Sequence, residues 1–354
     1  MLLPEAAAAE GRFVPISVRE YRFSIIIPVS RTAASAEEAV TACRRAMQAD
    51  DELILVVDGA WQGEPTQHPS ASRTILSKTQ VGAAAARNLG SQQASGDFLV
   101  FVDSDVLIPP DALDRLEQRL AGDKLDAVFG SYCDEPSDRL ISSRFRNLLH
   151  HVTHQRSAGP IRSFWTGFGA VRRQLFMQLG GLDARYRCSI EDVEFGQRMA
   201  DAGARIALDP SLQVTHTKRW PLAKMIRSDI QDRALPWSHL ILDRHELPDA
   251  LNTSWRDRMA AALAGGLVAC LGLTLVTGWM MLGALSCLVA FIAINRDFHA
   301  LLWRKGGIPL LIGGIALHLL FYLYSAATFA TLAARWWITS PERFAAWQSR
   351  AASS

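Results

Sequence analysis

Charge is missing from two long stretches of this chain. Residues 259–294 contain no Asp, Glu, Lys or Arg across 36 positions, and residues 308–334 contain none across 27. A core helix rarely needs such lengths, whereas a bilayer crossing takes about 20 apolar residues. The first stretch is long enough for two crossings, with Thr277-Gly278-Trp279 as a tight turn between them, and the second for one. Three spans are expected, with a re-entrant hairpin as the competing arrangement. Cysteine is scarce as well. The five at 43, 133, 188, 270 and 287 show no metal-ligand spacing, which leaves reduced, structural thiols.

Residues 1–20 mix charges and lack an apolar core of secretory-leader length, so the soluble part is expected to stay in the cytosol. The connection 295–307 carries Arg296, Arg304 and Lys305 against Asp297, which suits the cytosolic side. Three crossings then place Arg335, Arg343 and Arg350 on the far side, against the positive-inside tendency. The expected location is the inner (plasma) membrane, multi-pass, with the catalytic part cytosolic. A net charge of +2 says nothing about nucleic acid, and none is expected as a partner.

Acid is absent between Asp138 and Asp183. Seven arginines (139, 144, 146, 156, 162, 172, 173) and three histidines (150, 151, 154) fill the interval. Two readings fit: a solvated basic face, or a positive field beside an anionic substrate or lipid headgroup. His150 and His154 share one face of a helix, but no carboxylate or cysteine lies near them in sequence to complete a metal site.

What is present is alternation. Phe23-Ser24-Ile25-Ile26-Ile27-Pro28-Val29 reads as a buried strand, residues 36–49 as a helix and Glu52-Leu53-Ile54-Leu55-Val56-Val57-Asp58 as a second strand. Thr74-Ile75-Leu76 follows as a short strand, 83–94 as a helix, 98–103 as a strand, 111–121 as a helix and 127–131 as a strand. The pattern predicts an α/β domain with a mostly parallel sheet covered by helices on both faces. Ligands of such sheets collect at the carboxyl ends of strands, where Asp58, Asp103 and Asp105 stand. In Phe98-Leu99-Val100-Phe101-Val102-Asp103-Ser104-Asp105 the two carboxylates are two residues apart, so on an extended backbone they converge. Such a pair suits Mg²⁺ or Mn²⁺ with positions left open for phosphate oxygens. The alternative is turn or N-cap aspartates ahead of Pro109-Pro110-Asp111.

With Asp58, Asp103-Ser104-Asp105 and Ile190-Glu191-Asp192 in place, residues 22–220 resemble the family 2 glycosyltransferases of GT-A fold. The resemblance implies that Asp58 contacts the donor nucleotide, although the family's following aspartate and serine are replaced here by Gly59-Ala60. Gly82-Ala83-Ala84-Ala85-Ala86-Arg87-Asn88 matches the family's segment beside the nucleotide, which puts Arg87 and Asn88 on the donor side. Asp103 and Asp105 match the metal- and diphosphate-binding Asp-x-Asp. Trp165-Thr166-Gly167-Phe168-Gly169 resembles the acceptor-side loop, with Arg144 and Arg146 expected on that side too. Glu191-Asp192 matches the catalytic acid pair, Asp192 being the general base; helix N-terminal acids are the bland alternative. His216 falls where relatives place a histidine near the metal, and Lys218 and Arg219 could pair with phosphate oxygens; a strand-end histidine beside solvated basic residues is the alternative. Arg219-Trp220 is shared with processive synthases, but His216 replaces their glutamine, so a non-processive enzyme is implied.

The expected organisation is an N-terminal extension (1–21), a GT-A domain (22–220), a juxtamembrane segment (221–258), a transmembrane region (259–337) and a tail (338–354). Residues 222–235, with Leu222, Met225, Ile226 and Ile230 among Lys224, Arg227 and Arg233, suit either a membrane-surface helix or one packed on the domain. The implied function is metal-dependent, inverting transfer of a sugar from a nucleotide-sugar donor to a lipid or lipid-linked acceptor at the membrane. Polyprenyl-phosphate transfer, a degenerate membrane scaffold and a transporter subunit are the rivals.

Overall fold

The computed structural model describes residues 19–30, 34–59, 70–186 and 190–339. Residues 1–18 of the expected extension, Cys188, Arg343, Arg350 and nearly all of the tail lie outside them. Nine strands occur in this part: β1 (Phe23–Ser30), β2 (Glu52–Asp58), β3 (Arg73–Leu76), β4 (Phe98–Val102), β5 (Val106–Leu107), β6 (Ala127–Tyr132), β7 (Gly159–Pro160), β8 (Phe168–Arg172) and β9 (Ile206–His216). The α-helices are α1 (Ala34–Ala46), α2 (Ala83–Gln92), α3 (Ala112–Gly122), α4 (Ile141–Arg156), α5 (Arg173–Gln178), α6 (Glu191–Asp201), α7 (Leu222–Ser228), α8 (Leu235–Arg244), α9 (Trp255–Leu273), α10 (Met280–Ile294) and α11 (Arg296–Thr339).

The sheet order is β3-β2-β1-β4-β8-β6-β9-β5, with β7 also on β9. The first four strands are parallel, as the alternation predicts. β8 runs antiparallel to both β4 and β6, a reversal that the alternation did not contain. Successive side chains of a strand face opposite ways. Phe23, Ile25, Ile27, Phe98 and Val100 therefore bury against Val40 of α1 and Leu113 and Leu116 of α3. Ile26, Ile54, Leu99 and Phe101 bury against Ala86 of α2, Phe176 of α5 and Phe195 of α6. Both faces are covered, which is why these strands read as unbroken apolar runs.

The segment expected as a membrane-surface helix is broken in three: α7, a π-helical stretch Asp229–Ala234, then α8. Met225 is buried, and with Ile226 it packs on Phe145 and Leu148 of α4, so domain packing holds this face. The connection 295–307 is also helical. Phe298, Leu301 and Leu302 join the same cluster, and Arg144 donates to the Lys305 carbonyl where the helix ends. Gly307, at φ 61°, then turns the chain back on itself. His299 Nε2 and His318 Nδ1 come within 3.3 Å. In a straight helix these residues would stand about 28 Å apart.

Among the described residues one helix, α11, is long and apolar enough to cross a membrane; α10, at 15 residues, is shorter. The three-span expectation thus reduces to one candidate by length and composition, because α9 opens with Arg256, Asp257 and Arg258, and α10 reaches only about 22 Å at 1.5 Å per residue.

Candidate active site

Parallel strands deliver the site. The carboxyl ends of β1, β2 and β4 open into a cavity of about 1300 Å³ lined by Asp58, Arg87, Asp103, Asp105, Asp192 and His216, among others. Its far wall is formed by α4, α7, the π-helical stretch and Phe321 of α11.

Asp58 accepts the backbone N–H groups of Val81, at 2.6 Å, and Gly82, at 3.0 Å. It therefore ties the loop before α2 to the end of β2. Gly82, at φ 91°, makes the turn into α2, which carries Arg87 inward. Arg87 is buried. Its Nη2 donates to Asp103 Oδ1 at 2.5 Å and its Nη1 to Glu191 Oε1 at 2.7 Å. Burial opposes its charge, but Asp103, Glu191 and Asp192 hold the guanidinium above its ordinary range. Asn88 does not line the cavity. It clamps the backbone of Leu182 in both directions, at 2.7 and 2.9 Å, a correction to its expected donor-side place. Gly181 permits this clamp: it sits at φ 73°, and a Cβ there would come within 2.6 Å of Asn88 Oδ1.

Asp192 sits at the start of α6. Thr166 N–H donates to its Oδ2 at 3.2 Å and Val193 N–H to its Oδ1 at 2.8 Å. Burial first, and the neighbouring Glu191 second, push the Asp192 carboxyl up to about 7, with Arg87 opposing. Gly196 lets α6 approach closely, since a Cβ there would come within 2.3 Å of the Ser163 backbone. Gly167 carries the carbonyl that accepts the Asp103 N–H at 3.3 Å, and Gly169 lies in β8 opposite Phe101. Trp165 lines the cavity against Tyr132 and His150, at 4.9 Å between ring centres in each case.

Asp105 faces His216 Nε2 at 3.8 Å and Lys218 Nζ at 3.5 Å. Burial alone would raise its carboxyl, but these two neighbours outweigh it and hold it at about 2. Arg219 is exposed and lies outside the cavity lining, so its expected phosphate contact is not supported by its position. Arg144 is likewise outside the lining, being spent on the Lys305 carbonyl. Arg146 does line the cavity, but it is paired to Asp229 at 3.1 Å and stacked 3.6 Å above the Trp220 ring. The basic interval is therefore not one face: its arginines serve separate structural contacts.

Two groups escaped the sequence reading: Tyr132 stacks on His216 at 4.4 Å between ring centres, and Asp229 receives both Arg146 and the Tyr324 hydroxyl. No motif marks either. Glu191, expected as half of the acid pair, fixes Arg87. The His150 and His154 rings lie 3.9 Å apart, centre to centre and tilted, and His154 Nδ1 meets the Gly130 carbonyl at 2.9 Å; among the described residues no third metal-ligating side chain joins them.

Among the described residues no group of three or more His, Cys, Asp or Glu side chains is placed to hold a metal ion. Asp103 pairs with Arg87, and Asp105 faces His216 and Lys218. A divalent cation here would take the Asp103 and Asp105 carboxylates and fill its remaining positions with substrate oxygens.

Residues 24–180 match the family model described as Glycosyl transferase family 2. An uncharacterized glycosyltransferase of Haemophilus influenzae is 29% identical over 119 residues, covering 31% of this chain and 48% of that one. The Pre-mycofactocin glycosyltransferase of Mycobacterium tuberculosis is 28% identical over 253 residues, covering 64% of this chain and 48% of that one. The chain thus spans about half the length of these curated relatives. Among solved structures, a mannosyltransferase from Pyrobaculum calidifontis in complex with GDP-Man and Mn²⁺ superposes with TM-score 0.55 at 20% identity, covering 89% of this chain and 88% of that one. That likeness is one of fold. Residues 24–180 thus carry the glycosyl transferase family 2 pattern on a fold like that of the mannosyltransferase, with the strand-end carboxylates and the acid pair that opens α6 in place.

Proposed function

We propose that this chain is a membrane-associated, metal-dependent, inverting glycosyltransferase that moves a sugar from a nucleotide-sugar donor to a lipid or lipid-linked acceptor at the cytosolic face. One observation carries the reading. A single cavity is lined by Asp103, Asp105 and Asp192 and also by Phe321 of the apolar helix α11. A donor at the strand ends would then meet an acceptor that arrives from the apolar side. The neighbour's GDP-Man and Mn²⁺ support the donor and metal classes, by likeness of fold.

Asp103 and Asp105, with His216 beside them, would hold Mg²⁺ or Mn²⁺, which when bound neutralises charge on the departing nucleoside diphosphate. Asp58 and the Gly82 turn frame the nucleotide end. Asp192 is the base. As the acceptor oxygen bonds to the anomeric carbon from the face opposite the leaving group, the bond to the diphosphate oxygen breaks and the acceptor proton passes to an Asp192 oxygen. Its carboxyl near 7 suits that work at neutral pH. Thr166 and Val193 N–H groups orient it. Arg87 holds Asp103 and Glu191 in one fixed array, so the metal strand and the base helix cannot drift apart.

The test is detergent-solubilised chain incubated with a panel of nucleotide sugars and Mn²⁺, with polyprenols, polyprenyl phosphates, glycolipids and water-soluble sugars as acceptors. Metal-dependent transfer to one of the lipid classes is expected. Transfer confined to water-soluble sugars would overturn the lipid reading. Transfer to a phosphate alone, surviving Asp192→Asn, would assign the polyprenyl-phosphate reaction instead.

A further inference from the structure

We infer that the chain is monotopic: α9 and α10 form a hairpin that dips into one leaflet, and α11 lies flat between the domain and the lipid without crossing. The inference rests on the membrane association proposed above.

Helix α11 cannot leave the domain to cross a bilayer. A Cβ on Gly313 would come within 3.0 Å of Ile141, His318 packs on Phe145 at 6.0 Å between ring centres, and Tyr324 donates to Asp229 at 2.6 Å. Trp336 stacks on His245 at 5.5 Å. These contacts run along about 34 Å of helix, more than the roughly 30 Å of a hydrocarbon core. A crossing would drag α4, α8 and the ion pair Arg146–Asp229 into lipid, where buried charge is costly. Ile308, Ile312, Leu320, Trp337 and Ile338 remain exposed along it, an apolar stripe suited to a leaflet surface.

The hairpin is built differently. Ala260, Ala264, Phe291 and Tyr322 form the buried cluster that joins its base to α11. Arg256 and Arg296, both facing Asp297, and Arg258, paired with Asp249, give that base a charged end that belongs outside the acyl chains. From Ala264 to the turn is about 15 Å along the helix axis, half a hydrocarbon core. At the tip Leu275, Val276 and Trp279 are 93%, 83% and 76% exposed, and residues 274–279 carry no charge. A hairpin that crossed would hold this tip in water. One that ends among the acyl chains buries it.

The experiment places single cysteines at Asp123→Cys in the domain, Val276→Cys at the tip and Ile338→Cys on α11. The background has the five native cysteines replaced by alanine and retains transferase activity. Full-length chain in sealed vesicles of known orientation is treated with a membrane-impermeant maleimide on either side. Position 123 is expected to label freely from one side, and position 338, at the lipid surface, to label more slowly from that same side and not from the other. Position 276 is expected to label from neither side, rising about tenfold once detergent is added. A nitroxide at 276 should be relaxed more by oxygen than by a water-soluble nickel chelate, which places it in lipid rather than inside protein. Labelling of 338 from the side opposite 123 would overturn the inference by showing that α11 crosses. Labelling of 276 from that opposite side would show that the hairpin crosses, and labelling from the same side as 123 would show that it never enters. Release of the chain by alkaline carbonate would be the separate failure of membrane association itself.

Discussion

The Arg87 guanidinium lies 2.5 Å from the Asp103 carboxylate, and its second nitrogen is spent on the acid pair that opens α6. The end of β4 and the start of α6 thus share one buried cation. Arg87→Ala should lower turnover by about 10²-fold. It should also move the acid limb of the pH–rate profile upward, because Arg87 opposes the rise of the Asp192 carboxyl. Arg87→Lys should restore part of the charge effect but not the two-armed geometry. Profiles at saturating donor and metal check this; a fall in turnover with an unmoved limb would make Arg87 merely structural.

The proposed base, Asp192, would work only when ionised, so activity should climb as pH rises through about 7. Asp192→Asn should remove that limb and cut turnover by about 10²-fold or more while donor affinity holds. Stability runs the other way. The folded carboxyl titrates above its unfolded value of about 3.9, so ionising it costs stability progressively as pH rises from there to about 7. Asp192→Asn should therefore melt higher than the parent at pH 8, and the difference should vanish near pH 4. Thermal melts across pH decide it.

Metal dependence follows from the open carboxylate pair. Activity should need Mg²⁺ or Mn²⁺ and be lost in excess chelator, and Asp105→Ala should weaken donor binding together with turnover. Donor titration by calorimetry, with and without the cation, reads both. Full activity in chelator would sink the assignment.

Arg146 and Asp229 are buried partners, and burial, aided by Arg233, lowers the Arg146 guanidinium to about 9. Arg146→Met alone should cost about 3 kcal/mol, since it strands the Asp229 charge. Adding Asp229→Asn should recover part of the loss, a coupling of about 1–3 kcal/mol in denaturant unfolding. Strict additivity would refute the pairing. Arg144→Ala should leave transfer unchanged and loosen only the end of the helix before Gly307, visible as faster amide exchange there.

Much of this molecule was legible in its sequence because the signals were local. Apolar runs with two covered faces mark β1, β2 and β4, and a strand that ends in Asp103 and Asp105 announces an oxygen-ligand site through period-two geometry alone. The acid pair at 191 and 192 could be placed at the start of a helix for the same reason. What the tertiary structure decided was contact at a distance. That Asn88 spends its amide on Leu182, that Arg144 caps Lys305, that β8 reverses, and that Gly307 folds His318 back onto His299 depend on partners between 19 and 161 residues away. Long arginines in an acid-free interval look alike as sequence. Only packing sorts them, because an arginine's role is set by the acceptor that its guanidinium reaches, and burial makes that choice costly to leave unmet.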